Sequence, residues 1–246
     1  MKTIGRVVLL LCFLTVSGLS YAAPPITVGS YGGLGAGRCF PFMCNNSGTS
    51  TGESIDYQQV FAASAFPDTG PTTINSLTWY YASPEPGIPL ALGGSYTFYL
   101  GYSNYQVNSL SANIGNNAAS ETLLGTGIIP PGGINDDPEL TYSGFTPFVY
   151  NPSEGPLLLE VVVNNQDNVP NNSGNGYNEG DNSRSVTSRA YCIYGTYNGC
   201  LAESAGLVTT FNSGDPNSFA TPEPATVFLL GWGLVGLAGL RRKLIA

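Results

Sequence analysis

Histidine is missing from all 246 residues of the chain, and charge is scarce: 8 Lys plus Arg against 16 Asp plus Glu. Each absence removes a class of function. Without an imidazole there is no Ser-His-Asp triad, no Cys-His pair and no HExxH zinc site. A net charge of −8 with so few cations excludes nucleic-acid binding, which draws on Lys and Arg to displace counterions from phosphate. Methionine occurs only 2 times, and the Ala/Glu/Lys/Leu heptads of a coiled coil are lacking. From residue 23 to 220 no strong helical period runs uninterrupted by Gly or Pro. What the chain has instead is 32 Gly, 18 Pro, 15 Tyr and 11 Phe, the vocabulary of turns and sheets.

The two ends read as addresses. Residues 1–22 have the form of a signal peptide. Lys2 and Arg6 precede an apolar run over 7–16, too short to span a bilayer. Ser20-Tyr21-Ala22 then sets small residues at −3 and −1, which predicts cleavage between Ala22 and Ala23. At the other end, residues 225–240 are uncharged and apolar. As a helix they would extend ~24 Å, a little short of a ~30 Å hydrocarbon core. Arg241, Arg242 and Lys243 follow directly, and their long stems stretch the span by snorkelling. Cations stay on the cytoplasmic side, so this pattern predicts one transmembrane helix with the C-terminus inside and residues 23–221 outside. That outer region holds only three arginines, Arg38, Arg184 and Arg189, against fifteen acids, a net of −12 with no Lys. Just before the apolar run, Pro222 and Pro224 hold Glu223 in an extended, non-helical segment.

The order of these elements carries a resemblance. Pro222-Glu223-Pro224, the Leu/Gly-rich span and the basic cluster, taken together over 221–246, closely resemble the PEP-CTERM sorting signal of exported proteins in Gram-negative bacteria. A second Pro-Glu-Pro at 84–86 stands in a loop without span or basic cluster and reads as a rigid turn. The resemblance implies exosortase as processing partner, after a transient stay in the inner membrane with the ectodomain in the periplasm. It also implies a final place at the cell surface or outside, and a link to exopolysaccharide and biofilm.

Between the ends, alternation of period 2 recurs. Candidate strands run over 54–61, along Leu77, Trp79 and Tyr81, and along Tyr96, Phe98, Leu100 and Tyr102 with Thr97 and Tyr99 opposite. Another runs along Leu157, Leu159, Val161 and Val163 with Glu160 opposite, and further ones lie at 146–150, 186–194 and 206–211. Short strands between Gly, Pro and Asn turns predict an all-β, jelly-roll-like β-sandwich over 23–220. The segments 57–66, 73–77, 146–152 and 157–161 also resemble an ectodomain often found ahead of PEP-CTERM tails, a likeness that implies no particular activity.

Four cysteines remain after the signal: Cys39, Cys44, Cys192 and Cys200. In an exported chain they read as disulfides. Three pairings are open, and the local pairs Cys39–Cys44 and Cys192–Cys200 are favoured, with Tyr197-Asn198-Gly199 supplying a turn before Cys200. The spacings do not fit a zinc ribbon. Residues 164–183 are dominated by Asn and read as a long solvated loop, with a Ca²⁺ site built on Asp167, Glu179 and Asp181 as the less favoured reading. Asp136, Asp137 and Glu139 form a second acidic stretch with the same ambiguity.

For function, the expectation is a non-enzymatic surface or matrix protein with no catalytic residue, metal or cofactor. The alternative is a carbohydrate-binding module with Tyr80, Tyr99, Tyr105, Tyr194 and Tyr197 as sugar-stacking candidates. A glycan-active hydrolase run by two carboxylates is third.

Overall fold

A computed structural model describes residues 24–31, 38–43, 54–67, 70–82, 91–131, 133–134, 139–167, 179–181, 183–194, 199–212 and 219–220. The signal peptide, its cleavage point at Ala22–Ala23, Cys44, the span 225–240 and the basic cluster lie outside these residues. Among the described residues no helix is long and apolar enough to cross a membrane.

Eleven strands among the described residues form two sheets. They are β1 (Ile26–Val28), β2 (Ser54–Phe61), β3 (Thr72–Tyr80), β4 (Gly94–Ser103), β5 (Ala118–Ile129), β6 (Glu139–Tyr150), β7 (Leu157–Asn164), β8 (Thr187–Tyr194), β9 (Gly199–Glu203), β10 (Thr209–Phe211) and β11 (Phe219–Ala220). One sheet has the order β1-β10-β3-β6-β11, the other β5-β4-β7-β2-β8-β9. Every pairing is antiparallel except the short parallel contact of β11 with β6. Among the described residues three short 3-10 turns interrupt the all-β architecture, at Ala63–Ala65, Ile114–Asn116 and Pro152–Glu154.

The alternation read from the sequence is what faces the two sheets together. Leu77 and Trp79 of β3 are buried, as are Tyr96, Phe98 and Leu100 of β4 and Leu157, Leu159, Val161 and Val163 of β7. They meet in one core. Phe98 stacks on Tyr142 at 4.0 Å between ring centroids, and Phe61 meets Phe211 edge-on at 5.1 Å, so aromatic rings bridge the sheets. Burial of such rings is the main drive for closing the sandwich. The β4–β5 connection folds back over one end of the six-stranded sheet. Its Leu110 packs with Val60, Leu158 and Ala190, and Tyr105 and Val107 lie against them.

Candidate functional site

Because strand side chains alternate, burying Phe98 and Leu100 turns Tyr99 outward, and burying Val161 and Leu159 turns Glu160 outward. The same rule on β2, with Ile55 and Tyr57 inward, turns Asp56 and Gln58 outward. Register then assembles a site that the sequence scatters over more than a hundred residues. Tyr99 stands opposite Glu160, and Glu160 opposite Gln58. On the far side of Tyr99 stands Leu123, a large apolar residue left 56% exposed. Asp56 is paired with Cys192 on β8, and Tyr194, two residues on, is also exposed. The outer face of the six-stranded sheet thus carries the exposed Tyr194 and the partly exposed Tyr99 with a band of carboxylates between them, while Gln58 itself is covered, at 2% exposure.

Hydrogen bonds hold that band in place. The Gln58 amide donates to Glu160 Oε1 at 2.8 Å, and Asn117 donates to Gln58 Oε1 at 3.0 Å. Asn117 is fully buried and also donates to Ser111 O while accepting from Ser111 N–H, so it fixes the β4–β5 connection and the Gln58 rotamer together. Electrostatics follow from crowding three acids on neighbouring strands. Burial, then the Glu160 carboxylate, raises Asp56 to about 8. Partial desolvation, then Glu160, raises Glu121 on β5 to about 7. Asp56 Oδ1 is buried without a hydrogen-bond partner. Sharing protons among like charges in this way keeps the band partly neutral near pH 7. Chemically the face offers aromatic stacking surface beside hydrogen-bond donors and acceptors. The strand over 54–61 that carries Asp56 was legible in the sequence, but the one that carries Glu121 was not, since β5 itself shows no alternation.

The other stacking candidates do not join this face as a platform. Tyr80 lies on the five-stranded sheet, donates to Thr210 Oγ1 at 2.7 Å and meets Tyr31 edge-on. Tyr105 packs against the Val60–Leu158 cluster. Tyr197 lies outside the described residues. A cavity of about 460 Å³ opens beside the turns at Ala63–Ala65 and Pro152–Glu154, lined by small and polar residues such as Ser64, Asn151 and Ser153, without an acid or base.

Cys192 and Cys200 form the expected disulfide, directly opposite each other on β8 and β9. Cys39 is also disulfide-bonded. The stretch 164–183, expected as one long solvated loop, is corrected at both ends. Gln166 is buried and donates to Pro41 O and Tyr96 Oη, pinning the 40–43 turn. Asp181 is 1% exposed, and its carboxylate accepts from Ser30 N–H, Ser183 N–H, Ser183 Oγ and Thr187 Oγ1. A polar residue survives burial when its groups are paired in this way, and Asn-rich composition did not reveal it. Nor do Asp167, Glu179 and Asp181 converge: Asp167 N–H bonds Gly93 O, Glu179 N–H bonds Tyr80 O, and Asp181 is saturated by its own partners. Among the described residues no group of three or more His, Cys, Asp or Glu is placed to hold a metal.

Comparison with known proteins bears on the tail. Residues 220–243 match the family model of the PEP-CTERM protein-sorting motif. The chain therefore carries a PEP-CTERM sorting signal, which implies export, membrane-associated sorting toward the cell surface and processing by an exosortase. No curated protein matches the chain, and no solved structure does either.

Proposed function

With that sorting motif as premise, we propose that this is a non-enzymatic protein of the cell surface or extracellular matrix, working alongside exopolysaccharide in biofilm. The single observation that carries the reading is the tail. A signal peptide over 1–22 opens export, and a helix over 225–240 holds the chain in the inner membrane. The jelly-roll-like domain then stands in the periplasm until exosortase cuts near Pro222-Glu223-Pro224. The testing experiment is intact-mass measurement of the mature protein in a host carrying an exosortase, beside Glu223→Ala. Glu223 lies outside the apolar run, so its replacement should leave insertion intact and leave the protein in the membrane with its tail attached. Processing of Glu223→Ala at the wild-type rate would refute the recognition role of the motif.

The outer face of the six-stranded sheet favours a second reading, a carbohydrate-binding domain delivered by the same route. What supports it is Tyr99 beside Glu160, with Tyr194 across the same face. Ring stacking plus carboxylate hydrogen bonds is the chemistry that holds a sugar. A glycan array would show binding lost in Tyr99→Ala and Tyr194→Ala. No binding to any glycan would leave the matrix role without sugar recognition, and turnover of a glycan that stops in Glu160→Gln would overturn the non-enzymatic reading.

A further inference from the structure

Three buried polar side chains meet between the sheets. Thr187 on β8 and Gln59 on β2 are fully buried, and Asp181 is 1% exposed. Phe61 pairs with Thr187 and Gln59 with Arg189, so Thr187 and Gln59 are diagonal neighbours on one face of adjacent strands. Their functional groups crowd a single point. A Cβ on Gly206 would stand 2.7 Å from Gln59 Cδ and 2.9 Å from Thr187 Oγ1, closer than any side chain tolerates, and a glycine stands there.

Each group is prepared for one role. Thr187 Oγ1 donates to Asp181 Oδ2 at 2.9 Å and accepts from Gly206 N–H at 3.2 Å, which leaves one lone pair free. Asp181 is fixed in turn. Its Oδ1 accepts from Ser30 N–H, Ser183 N–H and Ser183 Oγ, and its own N–H donates to Gly206 O. A hydroxyl, a base within hydrogen-bond reach and further groups that orient the base are the pattern of an activated nucleophile. The Gln59 amide is polarised at the same place. Its Oε1 accepts from Tyr57 Oη at 2.6 Å and from Leu207 N–H at 2.7 Å, two donors arranged as in an oxyanion hole. Burial raises the Tyr57 phenol, so it stays a donor. The Gln59 Nε2 is held as well, donating to Leu207 O at 2.8 Å.

We propose that Thr187 and Gln59 join in an autocatalytic intramolecular ester bond. Small side-chain rotations about their common point bring Oγ1 onto Cδ. Thr187 Oγ1 attacks Gln59 Cδ while Asp181 Oδ2 takes the hydroxyl proton. The negative charge gathers on Oε1, where Tyr57 Oη and Leu207 N–H stabilise it. As the intermediate collapses, the C–N bond breaks and the proton held by Asp181 passes to the leaving nitrogen. The products are the Oγ1–Cδ ester and one ammonia, so the step consumes no oxidant and no second substrate. Ammonia is lost to bulk water, and burial keeps water from hydrolysing the ester. The bond locks β2 to β8 covalently.

The test is mass spectrometry of the full-length chain purified in detergent. Wild type is expected to weigh one ammonia less than its sequence with its disulfides. A peptic digest should contain one branched peptide joining the segments around Gln59 and Thr187. Neutral hydroxylamine, which cleaves esters and spares amides, should split it. Thr187→Val keeps the side-chain shape but lacks the nucleophile, so the missing ammonia should return in full, whereas Thr187→Ser should retain the bond. Asp181→Asn should slow its formation at least about a hundredfold. Each variant is compared with wild type by near-ultraviolet circular dichroism. If Thr187→Val or Asp181→Asn fails to fold, the branched peptide of wild type decides alone. Wild type at full mass without a branched peptide overturns the proposal. So does an ammonia loss that persists in folded Thr187→Val, which would belong to a succinimide at a sequence such as Asn198-Gly199.

Discussion

Gln59 shows how a polar side chain earns a place between two sheets. It is fully buried, accepts from Tyr57 Oη at 2.6 Å and from Leu207 N–H at 2.7 Å, and donates to Leu207 O at 2.8 Å. Tyr57 Oη and Leu207 N–H would otherwise be buried without partners, while Leu207 O keeps a bond from Thr209 Oγ1, so one amide ties β2 to the segment entering β10. Replacing it by Leu keeps the volume and strands two groups at about 1–3 kcal/mol each, less whatever relaxation recovers. Gln59→Leu should therefore lower stability by at least about 2 kcal/mol in chemical denaturation. A loss under half of that would mean that water replaces the amide. Asp56 gives the opposite sign. Its carboxyl is raised by burial and by Glu160, so the folded state binds a proton that the unfolded state releases. That stability is full below the ordinary carboxylate range, near ~4, and is lost as pH rises through about 8. Glu121 adds to the same window but stands more open to solvent, so Asp56 carries the larger share. Asp56→Asn should flatten the fall in melting temperature between pH 5 and 8 and stabilise the protein at pH 8 by about 1–3 kcal/mol. A wild-type protein whose stability climbs over that interval would contradict the proton sharing.

At the scale of the element, β9 is held by little besides its neighbour. All five residues, Gly199–Glu203, are exposed, including Leu201 at 55%. Beyond its ladder to β8 the strand has the Cys192–Cys200 bridge and the Arg189–Glu203 ion pair. The sequence separation across the bridge is 8, and closing so short a loop is worth about 2–3 kcal/mol in the chain-entropy view. Replacing both cysteines by Ser should release β9 locally. Its amides should lose exchange protection while those of β2 and β7 keep theirs. Unchanged protection of β9 would show that ladder and ion pair suffice. Exposure also explains what the sequence displayed. β4 and β7 bury one face, so their alternation was plain, and it named Tyr99 and Glu160 as outward residues. β5 is a sheet-edge strand with five consecutive exposed positions, Glu121 among them, and its composition betrays nothing. β6 was read only from residue 146, because Gly144 and Pro147 disguise a twelve-residue strand. The candidate face itself depends on which strands become neighbours. β7 inserts between β4 and β2, and nothing local to any of the three records that choice.

At the scale of the whole molecule, charge is sorted by segment, and the sorting makes a mechanical prediction. The proposed topology keeps the net of −12 over 23–221 outside, while Arg241, Arg242 and Lys243 close the apolar run on the other side. β11 ends at Ala220, where the sorting-motif match begins. In the topology proposed above, the five residues from Ala220 to Ala225 reach at most about 17 Å when fully extended, which would keep the sheet edge close to the membrane surface until cleavage. On that proposal the height of the motif is set by where the span stops, the role assigned to the basic cluster. Each cation drawn to the bilayer centre costs ~2.5–3.5 kcal/mol on insertion scales, so three in a row form a firm stop. Changing Arg241, Arg242 and Lys243 all to Ala removes the stop and lengthens the uncharged run to the chain end. The expected outcome is a tail that slips, with less protein retained in the inner membrane and a smaller processed fraction, while the folded domain keeps its wild-type circular dichroism. This failure differs from that of Glu223→Ala, in which retention persists and only cleavage is lost. Membrane fractionation with C-terminal mass on both variants separates the two. Equal retention of the triple variant and the wild type would show that the apolar run alone fixes the height, and the basic cluster would then have no part in positioning the motif.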